Sequence, residues 1–214
     1  MTRLTVFGAP GGVGREAVRR APAAGRGATA VVRDPARLAV TGTRLVVRRA
    51  EDPSGPEALR AAVAGRDAVL LGSGAGSRAD AGVAARPTRW VLAAAEAGKV
   101  RRLLVVGAAP PDPAPAGRGV LDRAVLAAVG TVPKDVRDDL RAVESDPAAS
   151  GADRTAVRPP RPTDGPVAGG TPPRGRFPSR AGVAHATPAM ADDPATIKQG
   201  VGVAYQRYLP YRPY

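Results

Sequence analysis

A chain of 214 residues with a formal net charge of +13 and a pI near 11.3 is long enough for one well-buried core and suits a ligand that carries phosphates. Cysteine is absent, which excludes disulfides, thiolate catalysis and cysteine metal sites, and the single histidine, His185, argues against a histidine-built zinc site. No apolar run is long enough to span a bilayer and the N-terminus lacks a signal-peptide pattern, so a soluble cytoplasmic protein with no membrane partner is expected.

The chain opens on a short apolar run (Leu4, Val6, Phe7) that ends at Gly8. Ala9, Pro10, Gly11, Gly12, Val13 and Gly14 follow, and then a helical run with Ala17 and Val18. This is strand, glycine turn, helix. A helix start leaves backbone N–H groups without intrahelical partners and carries partial positive charge, so a phosphate fits there. Glycines at 8, 11 and 14 keep side chains out of its way and let the helix lie close to the strand. An ordinary glycine-rich loop is the plain alternative; the position between strand and helix favours dinucleotide binding.

The first helix is predicted from about Val13 to Gly25, with Pro22 in its last turn and Gly25 and Gly27 to end it. A second strand, Ala28 to Val32, closes on Arg33-Asp34-Pro35. In dinucleotide folds an acid at the end of this strand takes the ribose 2′-hydroxyl, whereas an arginine accommodates a 2′-phosphate. Arg33 stands here, with Arg37 one helical turn on. Residues four apart share a helix face, so both can converge on one phosphate, which favours NADP(H) over NAD(H). Two solvated arginines in an arginine-rich chain are the alternative. Asp34 is expected to cap the short helix that Pro35 begins.

A strand from Arg44 to Arg48, a helix from Pro56 to Ala64 and a strand from Ala68 to Leu71 come next. The last ends in Gly72-Ser73-Gly74-Ala75-Gly76, a glycine-rich exit of the kind at which an open α/β sheet keeps its ligand. A helix from about Thr88 to Ala97 carries Trp90, Val91 and Ala94 on one face, with Trp90 read as core, and a strand from Arg102 to Val106 stops at Gly107-Ala108-Ala109. Strand and helix alternating at this spacing predict parallel βαβ units: a doubly wound, Rossmann-like α/β sheet with helices on both faces.

Beyond it lie a loop from Pro110 to Gly119 and two helical pieces in Val120 to Ser150, broken near Gly130 to Pro133. A sixth strand, Thr155 to Arg158, leads into Pro159-Pro160 and an irregular excursion from Arg161 to Ser179 on the substrate side. A helix from Ala181 to Ala191, damaged by Pro188, and a short strand from Val201 to Tyr205 complete the chain. One domain over residues 1–214 is expected, with a dinucleotide-binding core at 1–158 and an irregular C-terminal region at 159–214 completing the site.

The positive charge by itself would also suit nucleic acid. The arginines, however, are scattered singly and in pairs, aromatics make up 3%, and no basic helix is interleaved with stacking residues, which argues against that partner. His185 is expected to face solvent on the last helix. Lys134 and Asp135 precede a charged helix read as a mostly solvated face. Arg158 and Arg161 flank the double proline and either meet an anionic substrate or pair with acids.

The runs TVFGAPGGVGREAV, VVRDPARL, DAVLLGSG, VRRLLVVGAA, VRPPRPTDGP, SRAGVAHA and DDPATIKQGVGVAY cover nearly the whole chain in order. Together they resemble the NAD(P)H-binding, NmrA-like members of the atypical short-chain dehydrogenases, in particular the branch that contains biliverdin reductase B, the flavin reductase. The resemblance implies that Gly8, Ala9, Pro10, Gly11, Gly12, Val13 and Gly14 surround the pyrophosphate and that Arg33 and Arg37 hold the 2′-phosphate. It further implies that Leu71, Gly72 and Ser73 lie under the adenosine ribose and pyrophosphate, and Pro159 and Pro160 beside the nicotinamide. Gly107 and Ala108, at the end of the fifth strand, are counted with the cofactor residues, although the family often has serine where Gly107 stands.

No catalytic residue emerges. Ordinary short-chain dehydrogenases use a Tyr-x-x-x-Lys pair, but Tyr205, Tyr208, Tyr211 and Tyr214 all lie in the last ten residues with no lysine after any of them. The resemblance therefore implies direct hydride transfer from NADPH to a small-molecule acceptor, a flavin, quinone or similar conjugated compound, with the protein supplying position and a dry pocket. The alternative is a non-catalytic, NmrA-like protein that binds the dinucleotide and reports redox state to a regulatory protein partner. Departures from the family are Arg49, where an acid often stands beside the adenine, and Ser179-Arg180-Ala181-Gly182 in place of SRAD. Pro22, Pro147, Pro162 and Pro188 stand where leucine is expected; since a helix-interior proline costs about 3 kcal/mol, either those helices end early or the fold is less stable than its relatives.

Overall fold

Most of the strands are short apolar runs bounded by turn residues and buried on both faces of the sheet, although Leu45–Arg49 is largely exposed. The strands are β1 (Arg3–Phe7), β2 (Gly27–Val32), β3 (Leu45–Arg49), β4 (Ala68–Leu71), β5 (Arg102–Val106), β6 (Asp153–Arg158), β7 (Gln199–Ala204) and β8 (Arg207–Tyr211). The computed structural model describes residues 2–49, 55–72, 85–107, 142–143, 145–159, 180–204 and 207–211. In it the strands form one sheet in the order β3-β2-β1-β4-β5-β6-β7-β8, with every neighbouring pair parallel except β7 and β8. The expected doubly wound, Rossmann-like α/β architecture is the one observed.

The helices that cover the sheet include α1 (Gly12–Ala23), α2 (Pro56–Val63), α3 (Ala85–Ala97) and α4 (Arg180–Asp192). Side chains alternate along each strand and divide the core in two. Leu4, Val6, Leu70, Leu104 and Val157 pack with Val13, Ala17 and Val18 of α1 and Val183, Ala184 and Met190 of α4. Phe7, Val69, Leu71, Leu103 and Val105 pack on the other face with Leu59 and Val63 of α2 and Val91 and Ala94 of α3. Trp90 is partly buried against this second cluster, as core. Among the described residues, no helix is long and apolar enough to cross a membrane.

The ends of the elements follow local chemistry. Gly25 takes φ of 74°, its N–H bonds the Pro22 carbonyl at 3.0 Å and the Arg26 N–H bonds the Ala21 carbonyl at 2.9 Å, so α1 closes in the paired bonds of a Schellman turn just after Pro22. Asp34 accepts from the Ala36 N–H at 3.0 Å and caps a three-residue 3-10 helix, Pro35–Arg37, as expected. Proline at 188 does not end α4, which runs on to Asp192; Pro188 has no N–H to donate, so one intrahelical bond is missing there, and the helix is held by burial of Val183, Ala184, Ala186 and Met190. Pro147 is buried within a helical stretch at 145–149, and Pro162 lies outside the described residues.

Several elements differ from the sequence pattern, among them β6, which begins at Asp153 and not at Thr155. α3 starts at Ala85, before Thr88, β7 begins at Gln199 and stops at Ala204, and β8 was not expected at all. The region from 180 to 211 is thus largely regular. The loop from Pro110 to Gly119, Lys134, Asp135, the excursion from Arg161 to Ser179 and Tyr205 lie outside the described residues.

The amino edge of the sheet is pinned by charge. Half-buried Arg102, at the start of β5, donates to the carbonyls of Ala191 at 3.0 Å and Asp153 at 2.7 Å, to that of Met190, and to the Thr196 hydroxyl at 2.7 Å. Burial pushes its pKa down, against the pull of Asp153, Asp193 and Asp192. Asp192 accepts from the Thr2 hydroxyl at 2.6 Å and pairs with Arg26 at 2.7 Å, which together hold its carboxyl below the ordinary aspartate range.

Candidate functional site

Because β1, β2, β4, β5 and β6 are parallel, their carboxyl ends share one edge of the sheet. That edge gathers the Gly8 to Gly14 turn, Arg33, Gly72, Gly107 and Pro159, residues far apart in the chain. Gly8 takes φ of 72°, and the Gly11 N–H closes the turn on the Gly8 carbonyl at 2.9 Å. A Cβ on Gly14 would lie 2.4 Å from the Gly8 carbonyl oxygen, so only glycine lets α1 start this close to the strand. The loop after β4 joins it, with the Gly72 N–H donating to the Phe7 carbonyl at 2.9 Å. Ala9, Val13 and Leu71 bury their side chains in the core and bring only backbone to the edge, whereas Pro10 is half-buried. Ser73, Ala108 and Pro160 lie outside the described residues.

The start of α1 has the chemistry of an anion cradle. Its first intrahelical donor is Arg15, which bonds Gly11 at 2.8 Å, so the amides of Gly12, Val13 and Gly14 have no intrahelical acceptor. The N-cap is Gly11, with no side-chain cap, and no acid stands in the first turn. Glu16, the first acid along the helix, is paired with Arg19 at 2.6 Å and Arg20 at 3.2 Å. The Arg19 hydrogen bond above all holds its carboxyl below the ordinary glutamate range. The amides and the helix dipole fit a pyrophosphate, and no acid of the first turn opposes its negative charge.

Arg33 and Arg37 are both exposed beside this edge. Their expected relation needs correcting. The 3-10 helix spans only Pro35–Arg37, so Arg33 precedes it and the two do not share a helix face by the spacing of four. Arg49 stands opposite Val32 in the register and extends the basic rim. Next to it a groove of about 260 Å³ is lined by Val31, Val47, Arg48, Arg49, Ala58 and Ala61.

The other candidates separate. His185 is exposed on α4, as expected. The arm of Arg158 folds over Gly200, where a Cβ would come 3.2 Å from its Nη1, and Arg161 lies outside the described residues. Gly107 is buried and gives its N–H to the Val157 carbonyl at 3.0 Å, a backbone role that brings no hydroxyl to the edge. Sequence reasoning passed over Arg180 as a site residue. It opens α4, and its Cδ and Nε lie across Gly12. No pattern of local spacing could have joined the two.

Solved structures carry the same fold. The chain is similar to a short-chain dehydrogenase/reductase from Veillonella parvula, at 18% identity over 95% of this chain and 94% of that one, with a TM-score of 0.73. A second structure of a short-chain dehydrogenase/reductase from that organism, in complex with NADP, is 17% identical with the same coverage and a TM-score of 0.71. ChuY, an anaerobillin reductase from Escherichia coli O157:H7, is 21% identical over the full length of both chains, with a TM-score of 0.67. No curated protein matches by sequence. The NAD(P)H-binding family model matches residues 8–194, from the first glycine of the turn to the 3-10 helix that follows α4, and the chain belongs to that family.

Proposed function

We propose that the chain is an NADPH-dependent oxidoreductase of the NmrA-like, flavin-reductase-like kind, which passes hydride directly to a flavin, quinone or similar conjugated acceptor in the cytoplasm. The observation that carries the reading is the asymmetry of the carboxyl edge. It offers amides without intrahelical acceptors and exposed arginines to a phosphorylated dinucleotide, while Asp34 caps the 3-10 helix. When bound, a reduced nicotinamide supplies the hydride. The chain's own part is to hold phosphate with the amides of Gly12, Val13 and Gly14, to meet the 2′-phosphate with Arg33 and Arg37, and to keep water away. Backbone at Gly8 to Gly11, Leu71, Gly72, Ser73, Gly107 and Ala108 forms the floor of the site in this reading. Pro159 and Pro160 flank the nicotinamide, and residues 159–214 complete a single functional unit with the core. An acceptor with conjugation of its own takes hydride without a tyrosine to protonate it in concert, which suits a chain whose tyrosines all fall in the last ten residues.

The test is NADPH oxidation, followed by absorbance with a panel of flavins and quinones. Turnover with at least one is expected. Measurable NADPH binding with no oxidation by any acceptor would instead support the second reading, a redox-reporting protein with a regulatory partner, which the missing Tyr/Lys pair favours.

Cofactor choice is tested separately. Arg33→Asp is expected to weaken NADPH by roughly tenfold to a hundredfold, the loss of a charge-assisted phosphate contact, and to leave NADH within a few-fold. Equal loss for both dinucleotides would remove Arg33 from the 2′-phosphate.

A further inference from the structure

We infer that Arg180 is a cofactor-positioning residue, whose guanidinium holds the dinucleotide pyrophosphate on the glycine turn. The inference rests on the cofactor reading above and adds to it a cation from the far end of the chain. α1 and α4 pack side by side on one face of the sheet, and both begin at its carboxyl edge. α4 ends at the opposite edge, where Asp192 meets Thr2 and Arg26. The two helix N-termini therefore point the same way, and their partial positive charges add at one place. Neither helix has an acid in its first turn.

Arg180 adds a full charge at that place. A Cβ on Gly12 would come 2.1 Å from the Arg180 Cδ and 2.5 Å from its Nε, so the arm crosses the bare Cα of the first residue of α1. A cation beside two like-signed helix ends is the complement of an anion with more than one charge. The pyrophosphate is such an anion, and it is the part that NADH and NADPH share. The planar fork of a guanidinium matches its oxygens. A side chain at position 12 would push this flexible arm aside.

Binding of NADPH and NADH is measured by nicotinamide fluorescence for the wild type, Arg180→Met and Arg180→Lys, with thermal unfolding of the ligand-free proteins as the check on folding. Methionine keeps an apolar arm over Gly12 and removes the charge. Both dinucleotides are expected to weaken together by roughly tenfold to a hundredfold, with lysine restoring part of the loss. Inorganic pyrophosphate, as a competitor of NADPH, is expected to weaken in parallel. Arg180→Gln carries the same expectation where the methionine variant does not fold. Unchanged affinities overturn the inference, and so does a loss confined to NADPH, which would make Arg180 a 2′-phosphate residue. Failure to oxidise NADPH with any acceptor removes the reductase reading and leaves this one standing, whereas a wild type that binds neither dinucleotide overturns both.

Discussion

Gly14→Ala is expected to lower both thermal stability and cofactor affinity, although alanine is the better helix former by about 1 kcal/mol. The added Cβ would lie 2.4 Å from the Gly8 carbonyl oxygen and 3.0 Å from the Ala9 Cα. Both are backbone atoms of the turn and cannot rotate away. Either α1 slides outward or the turn opens, and overpacking of this kind costs typically about 1–3 kcal/mol. For a chain of this length that corresponds to roughly 2–12 °C in Tm. The same displacement carries the amides of Gly12, Val13 and Gly14 away from the phosphate position, so NADPH affinity is expected to fall by roughly tenfold to a hundredfold. Gly27→Ala is the internal control, because a Cβ there meets only the Arg3 Cγ at an ordinary 3.7 Å. Thermal unfolding and NADPH titration of the two variants check the contrast. A Gly14→Ala protein that matches Gly27→Ala in both would refute the close approach of helix and turn.

Arg102→Met is expected to show a different pattern, a loss of stability with cofactor binding intact. Arg102 donates to the carbonyls of Met190 and Ala191, two of the last carbonyls of α4, which have no intrahelical donor of their own. It also reaches the Asp153 carbonyl and the Thr196 hydroxyl, so one side chain joins β5, β6, α4 and the 3-10 helix at Pro194–Thr196. Its charge further suits the negative end of α4. Removing it takes a donor from each of these acceptors, although the Met190 carbonyl keeps the Thr196 hydroxyl at 3.0 Å and the Thr196 oxygen keeps the Thr155 hydroxyl at 3.1 Å, so the expected loss is about 1–3 kcal/mol, or roughly 2–12 °C in Tm. These contacts lie at the amino edge, across the sheet from the glycine turn. NADPH affinity measured at 25 °C on the folded variant should therefore stay within about twofold, since less than 0.5 kcal/mol is expected to reach the far edge. A fall in affinity as large as that of Gly14→Ala would show that the two edges are coupled.

What could be read from the sequence was what neighbours a few residues apart decide. β4 and β5 occupy Ala68–Leu71 and Arg102–Val106, the bounds expected from their apolar runs and flanking turns. Gly25 and Asp34 close and cap their helices through bonds that span only a few residues. The Gly8 to Gly14 turn follows from the same local logic. β8 was illegible because Arg207–Tyr211 contains a charge and Pro210, and it is a strand only by pairing antiparallel with β7. The last helix was expected from Ala181 to Ala191 in spite of Pro188, and α4 runs through that proline because its burial against α1 outweighs the poor local propensity. The spacing of Arg33 and Arg37 suggested a shared helix face, but the turn between them is too short to provide one.

The sequence by itself thus determined the strand, glycine turn and helix at the start of the chain, and the alternation that makes a doubly wound sheet. Both depend on backbone preferences and on periodicity, which act within one element. The tertiary structure decided which residues meet. Parallel crossovers carry the ends of β1, β2, β4, β5 and β6 to one edge and the end of α4 to the other, so that Arg180 lies on Gly12 and Arg102 on the carbonyls of α4. Contacts of that range depend on how helices and strands stack around a shared core, a property of the assembled layers that no single stretch of the chain carries.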